Sequence, residues 1–302
     1  MIELLASSLR LSTPLLFAAM GGLLCERAGI ATICLEGVMI MGAWAAASVA
    51  FGVSDPYIGL CMGILAGMLT MAIHCWLCVN AKADAIVSGV AVNMLAAGVT
   101  PLLTKAFFQS PTNTPSLAME DRFGAVAVPG LEALPVVGPL FNQPWMIYLA
   151  LVLPFALHYF FYSTGRGLRV LASGDNPEAL ETAGISPRSV RWKALLWGGA
   201  LTALGGVYLS TAHASQFTRD MTAGRGFIAL TAVIFGKWRP LPTLGACLFF
   251  GFFDALQIRL QSETIQGWEV PVQLVQSMPY LVALIVLAGF IGKARPPLAI
   301  GK

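Results

Sequence analysis

Charge is what this chain has least of. Of its 302 residues only 11% are charged, while 57% are hydrophobic and the mean hydropathy is +0.76. Soluble domains carry roughly 25% charged residues, so a water-soluble fold is excluded and a multi-spanning membrane protein is expected. Histidine is scarce too. His74, His158 and His213 are scattered without metal spacing, and each reads as an interfacial or packed side chain. No GxSxG, HExxH or paired metal box is present, so neither a catalytic residue nor a metal ligand is expected. GxxxxGK[ST] is missing as well, so the chain has no phosphate loop of its own for ATP hydrolysis. A ten-residue alternating pattern is also lacking, which argues against a β-barrel. The first apolar run has neither a basic start nor a small-residue cleavage site, so a retained span is expected there.

Glycine and proline, by contrast, are plentiful, with 31 and 18 residues lying largely inside apolar runs. They suit an all-α bundle of closely packed and broken helices. Runs long enough to span, about 17–25 residues, fall near Leu4–Leu24, Ile30–Phe51, Tyr57–Val79, Ala85–Phe108, Trp145–Tyr162, Ala194–Ala212, Leu241–Leu260 and Ser277–Ile291. Gly226–Gly236 is too short and reads as a half-helix, so about eight full spans and one half-helix are expected. Glu26–Phe51 and Arg225–Leu260 each begin with a charge and run through a glycine-broken segment into a span, which suggests an internal repeat.

The six cysteines all lie in or beside apolar runs. Cys75 and Cys78 form a CxxC without a second pair, so small buried thiols are expected rather than a zinc site.

Between two apolar runs lies a polar island, Thr164–Lys193. Gly174-Asp175-Asn176-Pro177 reads as a turn and helix start, with Asp175 or Asn176 as cap and Pro177 at the first helical position. Gly184 is expected to stop the short helix and Pro187 to prevent its resuming. A capped helix on such a loop suits contact with a soluble partner.

Arginine and lysine set the orientation. Arg166, Arg169, Arg188, Arg191 and Lys193 place the island in the cytoplasm. The loop 109–144, with Glu120, Asp121 and Glu132 against Arg122, is expected outside, and the tail with Lys293, Arg295 and Lys302 inside. Arg219 and Arg225 go against this bias, sitting on the expected outer side.

Glu36 stands out, with no cation within seven residues. A carboxylate at membrane depth costs roughly 2.5 kcal/mol or more. Two roles are open to it: a pathway residue for a polar substrate group or a proton, or a hydrogen-bonded tie between helices. Gly37 beside it permits close backbone approach. Glu26 and Arg27 are expected to form a local salt bridge or anchor, and Asn93 an interhelical hydrogen bond. An Asp254–Arg259 pair is conceivable but ill spaced for a helix.

Three segments together resemble a known family. CERAGIATICLEGVMIMGAWAA (Cys25–Ala46) resembles the ERAGxxNIGLEG segment of ABC-importer permeases for nucleosides and simple sugars, within the branched-chain amino acid and ribose permease superfamily. The island from Gly167-Leu168-Arg169 to Ile185 is similar to that family's coupling segment, and Gly224–Pro240 to its GRGFIALAAVIFGxWxP segment. The resemblance implies a single permease domain, 1–302, with a cytoplasmic coupling loop 164–193 and an extracytoplasmic loop 109–144. It implies a bacterial inner-membrane location, a second permease subunit, a P-loop ATPase that binds ATP and magnesium, and a substrate-binding lipoprotein. The substrate would be a small molecule, a nucleoside first and a simple sugar such as ribose second, with no nucleic acid involved. The matching coupling residues are Gly174, Asp175, Asn176, Pro177, Glu178, Ala179, Gly184 and Ile185, with Glu181 beside them. The implied substrate path takes in Glu36, Gly37, Thr32, Asn93, Phe227 and Ile228. Two departures stand out: Thr32-Ile33-Cys34 replaces the usual Asn-Ile-Gly, and Leu180-Glu181 replaces small residues. An ion-coupled transporter with Glu36 and Asp254 as proton carriers is the rival reading.

Overall fold

A computed structural model describes residues 2–127, 141–262 and 296–300, with Ser277 and Leu281 as isolated positions. The expected span Ser277–Ile291 and the charged tail residues Lys293, Arg295 and Lys302 otherwise lie outside the described residues, as does Glu132. The elements in chain order are α1 (Ile2–Arg27), α2 (Leu35–Val53), α3 (Pro56–Cys75) with a π turn Trp76–Asn80, and α4 (Ala85–Phe108). A short antiparallel pair follows, β1 (Ala125–Ala127) and β2 (Asn142–Pro144). Then come α5 (Trp145–Ser163), α6 (Gly165–Asp175), α7 (Pro177–Thr182), α8 (Pro187–Tyr208) with a π turn Leu209–His213, α9 (Arg225–Phe235) and α10 (Pro240–Ser262). Seven of these segments are long and apolar enough to cross a membrane, and α9 is the short apolar one.

The helix ends follow local chemistry. Asp55 caps α3 by accepting from the N–H groups of Tyr57 and Ile58, with Pro56 at the first position. Asp84 caps α4 in the same way through Ile86 and Val87. Thr164 caps α6 and Asn176 caps α7.

At the centre stands α1, 89% buried over its apolar window, with α8 at 83%; α4 and α10, at 28% each, form the rim. Glycine sets the central spacing. A Cβ on Gly198 of α8 would lie 2.2 Å from the Cys25 sulfur and 2.7 Å from the Gly21 carbonyl oxygen. One on Gly206 would lie 1.9 Å from the Met39 carbonyl oxygen. Backbones thus touch across α1–α8 and α2–α8, the small-residue packing that holds helices together in lipid.

Three expectations change here. The last turns of the polar island belong to α8, because Pro187 takes its first helical position; proline lacks the N–H that a helix start leaves unpaired anyway, so it starts this helix instead of blocking one. The supposed repeat segments differ as elements, since residues 28–34 are non-helical where the second copy has helix α9. Cys61 is exposed on α3 and Cys78 is partly so, while Cys25, Cys34, Cys75 and Cys247 are buried. Among the described residues no cluster could hold a metal ion.

Part of the loop 109–144 is tied down. Thr114, Leu117 and Phe123 donate backbone N–H groups to the carbonyls of Phe217, Ser215 and Thr211, and Arg219 donates to Thr112.

Candidate functional site

Residues 28–34 form a strap between α1 and α2. It turns sharply at its start: Gly29 has φ +96°, and its N–H donates to the Glu26 carbonyl. The strap and its two flanking glutamates hold both ends of the half-helix α9.

At one end, Glu36 in the first turn of α2 faces the N-terminus of α9. Its Oε1 accepts from the Thr222 hydroxyl at 2.6 Å and the Gly224 N–H at 2.8 Å, and its Oε2 from the Gly226 N–H at 2.6 Å. A helix N-terminus presents unpaired N–H groups and a partial positive charge, so a carboxylate there is doubly favoured. The approach is close enough to demand glycine. A Cβ on Gly226 would lie 2.5 Å from the Glu36 nitrogen. Gly224, with φ +80°, makes the turn into the helix. Both carboxyl oxygens are engaged, which is the geometry of a tie between helices.

Asn93 extends this end. Its Oδ1 accepts from the Gly37 N–H at 2.7 Å, and its Nδ2 donates to the Ile33 carbonyl at 3.0 Å, joining α4 to the strap as an interhelical bond. A Cβ on Gly37 would lie 3.0 Å from the Asn93 Cα. Thr32 turns inward, fully buried, and its hydroxyl donates to the Ile30 carbonyl. Phe227 is exposed, on the side of α9 away from the buried Gly226, Ala229, Ala232 and Val233, and Ile228 is half-buried against the core.

At the other end of α9, Lys237 and Trp238 both have positive φ, at 52° and 54°. Left-handed backbone at two bulky residues costs of order 1–3 kcal/mol each unless the surroundings hold it. Here the Trp238 indole N–H donates to Glu26, and the Arg27 Nε donates to the Trp238 carbonyl at 2.7 Å. The expected Glu26–Arg27 salt bridge is therefore replaced by a clamp: each side chain grips Trp238 from a different direction.

The polar island sits on the same strap. A Cβ on Gly174 would lie 2.3 Å from the Arg27 carbonyl oxygen, and the Ser173 hydroxyl donates to the Ala28 carbonyl at 3.2 Å. Arg191 donates to the Ser173 carbonyl at 3.4 Å, and the Ala299 N–H to the Gly174 carbonyl at 2.9 Å. Beyond this seat α7 projects. Asn176 caps it through Ala179, Gly184 ends it at φ +72°, and Leu180 is its buried anchor. Asp175, Glu178, Ala179, Glu181 and Gly184 are exposed, and Ile185 is half-buried with its N–H on the Leu180 carbonyl.

The structure thus gathers Glu26, Glu36, Gly37, Asn93, Gly174, Gly224, Gly226 and Trp238 around one strap. Thr222, Ser173 and Arg27 complete the bonds. Thr222 and Ser173 carried no signal in the sequence, since a lone hydroxyl in a loop resembles any other. Arg225 also moves. It opens the 11-residue α9, about 16 Å long at 1.5 Å per residue, and so begins about half a bilayer from the island end, not at the opposite surface. That removes it from the loop charges to which the orientation rule applies.

Comparison with known proteins identifies the family. The chain is 35% identical, over 99% of its length and 95% of the relative's, to the nucleoside ABC transporter permease protein NupC of Lactococcus lactis. It is 36% identical, over 96% of its length and 92% of the relative's, to the guanosine ABC transporter permease protein NupQ of Bacillus subtilis. A second Lactococcus lactis permease, the nucleoside ABC transporter permease protein NupB, is 26% identical over 51% of this chain and 41% of its own length. The family model described as branched-chain amino acid transport system / permease component matches residues 4–290, and the chain, a multi-spanning membrane protein, belongs to that permease family.

Proposed function

We propose that this chain is one of two permease subunits of an ATP-driven nucleoside importer in a bacterial inner membrane. The exposed helix α7 is the part that an ATPase subunit grips. ATP and magnesium belong to that subunit, since this chain has no phosphate loop. The observation that carries the reading is the seat of Gly174 on the Arg27–Gly29 turn. A push on α7 reaches the strap there, and the strap holds α9 at both ends through Glu36 and through Glu26 with Arg27. α9 therefore moves with α7 as one unit. Its open face, with Phe227 and with Ile228 at the edge where that face meets the core, borders the substrate path, and Glu36, Gly37, Thr32 and Asn93 shape that path from behind by fixing the backbone. The two Lactococcus lactis relatives support a heterodimer, because both are nucleoside permeases and only one matches over full length. A lipoprotein on the outer side delivers the substrate.

The test is uptake of radiolabelled uridine and guanosine by cells with the gene, without it, and with Glu178→Arg. The expected result is loss of uptake in the deletion and in Glu178→Arg, with the variant protein still in the membrane but no longer retaining an ATPase in pull-down. Uptake that survives Glu178→Arg and collapses with a protonophore would overturn the ATP-driven reading in favour of ion coupling.

A further inference from the structure

Arg10, His213, Arg225 and Asp254 are ionisable side chains at membrane depth that lie outside the strap. Packing brings them to one level. Gly236 meets Thr243, where a Cβ would lie 2.1 Å from the threonine Oγ1. α9 and α10 also pack Phe235 against Phe250, and from the glycine contact the same number of residues leads to Arg225 on one and Asp254 on the other. Gly251 of α10 meets Ser12 of α1, where a Cβ would lie 2.0 Å from the serine Oγ. Arg10 and Asp254 both lie within one turn of that contact, on the side away from the island, and Leu11 packs with Ala255 beside them.

Each group keeps bonding capacity free. Arg225 donates from Nη1 to the carbonyls of Met221 and Thr222, which aims its guanidinium, and its Nε is buried without a partner. Arg10 spends its Nε on the Gln143 Oε1 at 2.7 Å. Four residues on from Arg10, Pro14 has no N–H to give its carbonyl. Asp254 is half-buried, lies in the field of Arg225, and makes no hydrogen bond among the described residues. His213 closes the π turn after α8, stacks on Tyr208 at 6.3 Å, and lies in the field of Arg10 and Arg225. A side chain that can ionise is costly at membrane depth, so several of them at one level call for a functional reason.

The charges choose the ligand class. Arg10 and Arg225 are offset by Asp254 and by the Glu36 carboxyl on the neighbouring Gly226 N–H. A locally balanced site suits a neutral solute. A carboxylate accepts two hydroxyl donors side by side, and a guanidinium donates to their lone pairs. We propose that Arg225 and Asp254, with Arg10 opposite, bind the vicinal diol of a neutral solute as it crosses the membrane. This rests on the importer reading above. A ribosyl group and a free sugar share that chemistry.

The complete importer, reconstituted in proteoliposomes with its lipoprotein and ATPase, supplies the test. Maximal uptake rates are compared for uridine, 2′,3′-dideoxyuridine, ribose and 2-deoxyribose, in the wild type, in Asp254→Asn and in Arg225→Lys. The lipoprotein is the same throughout, so a changed ratio reports the permease. The expected result is a drop of about tenfold in the uridine to dideoxyuridine ratio in Asp254→Asn, one charge-assisted hydrogen bond's worth. Arg225→Lys should lower the same ratio, and it carries the test if Asp254→Asn fails to insert. Ribose uptake without uridine uptake would sink the nucleoside reading alone, and the ribose to deoxyribose ratio would then test the site. Unchanged ratios in both variants overturn the diol site. Uptake of no diol by the wild type overturns both.

Discussion

Glu26 and Glu36 flank a single strap, and both are buried, yet they do different work. Glu36 meets two backbone N–H groups and a hydroxyl at a helix N-terminus, so its environment resembles an anion-binding site built for a carboxylate. Glu26 meets an indole N–H, and its neighbour Arg27 turns to a carbonyl. The first glutamate neutralises a helix end that would otherwise sit unpaired in apolar surroundings. The second holds a backbone turn that two left-handed residues would otherwise relax. The same residue type thus serves polar satisfaction at one end of α9 and conformational restraint at the other.

Removing the tie should break this comparison most clearly. Glu36→Ala leaves three donors unsatisfied, each costing about 1–3 kcal/mol. We expect the protein to be lost from the membrane fraction, or its thermal midpoint in detergent to fall well below that of every other variant here. Glu36→Gln keeps one acceptor but turns an NH₂ toward an N–H, so it should cost more than Glu26→Gln, which still accepts from Trp238. Equal losses in the two glutamines would remove the distinction between tie and clamp.

At the clamp, Trp238→Phe leaves Glu26 without its indole donor, about 1–3 kcal/mol. The strained turn at Lys237-Trp238 should loosen, read as faster hydrogen exchange at residues 236–239 with α9 itself still protected. Uniform exchange across α9 would mean that the clamp does not hold the turn separately.

At the seat, Gly174→Ala pushes a methyl group against the Arg27 carbonyl, an overpacking cost of about 1–3 kcal/mol. Gly245→Ala is the control, since its Cβ meets open space. Substrate-stimulated ATP hydrolysis should fall in the first and hold in the second. A fall in both would dissociate coupling from the seat.

The smallest effect on stability belongs to Glu178→Arg. This exposed position should stay within about 0.5 kcal/mol of wild type, while uptake is lost. A stability loss comparable to that of Gly174→Ala would place Glu178 in the fold rather than at a docking face.

Much of this was legible without coordinates. Long apolar runs mark the spans, because lipid leaves a helix no alternative for its backbone groups. Asn176-Pro177 and Gly184 mark α7, because cap and stop are local chemistry. Gly226–Gly236 is recognisable as a half-helix from length alone. Glu36 is conspicuous as a carboxylate without a local cation, yet whether it was a pathway residue or a tie depended on partners 186–190 residues away. For Glu26 and Arg27 a salt bridge or an anchor was the natural local reading, and the part the structure overturns is the salt bridge. It failed because Trp238, 212 residues from Glu26, offers both an indole donor and a carbonyl acceptor. The charge site around Arg225 and Asp254 was illegible for the same reason: Asp254 was matched to Arg259 on its own helix, whereas its level is set by Gly236 on Thr243 and Gly251 on Ser12.

What the sequence by itself determined is whatever rests on interactions within a few residues: membrane class, span positions, helix caps, and the absence of a phosphate loop. Tertiary structure alone decided which carboxylate meets which donor, and that the island, the strap and the half-helix form one connected body. The physical reason is that a buried polar group must find a partner, and at membrane depth that partner is supplied by another helix, whose position depends on where glycine lets two backbones touch.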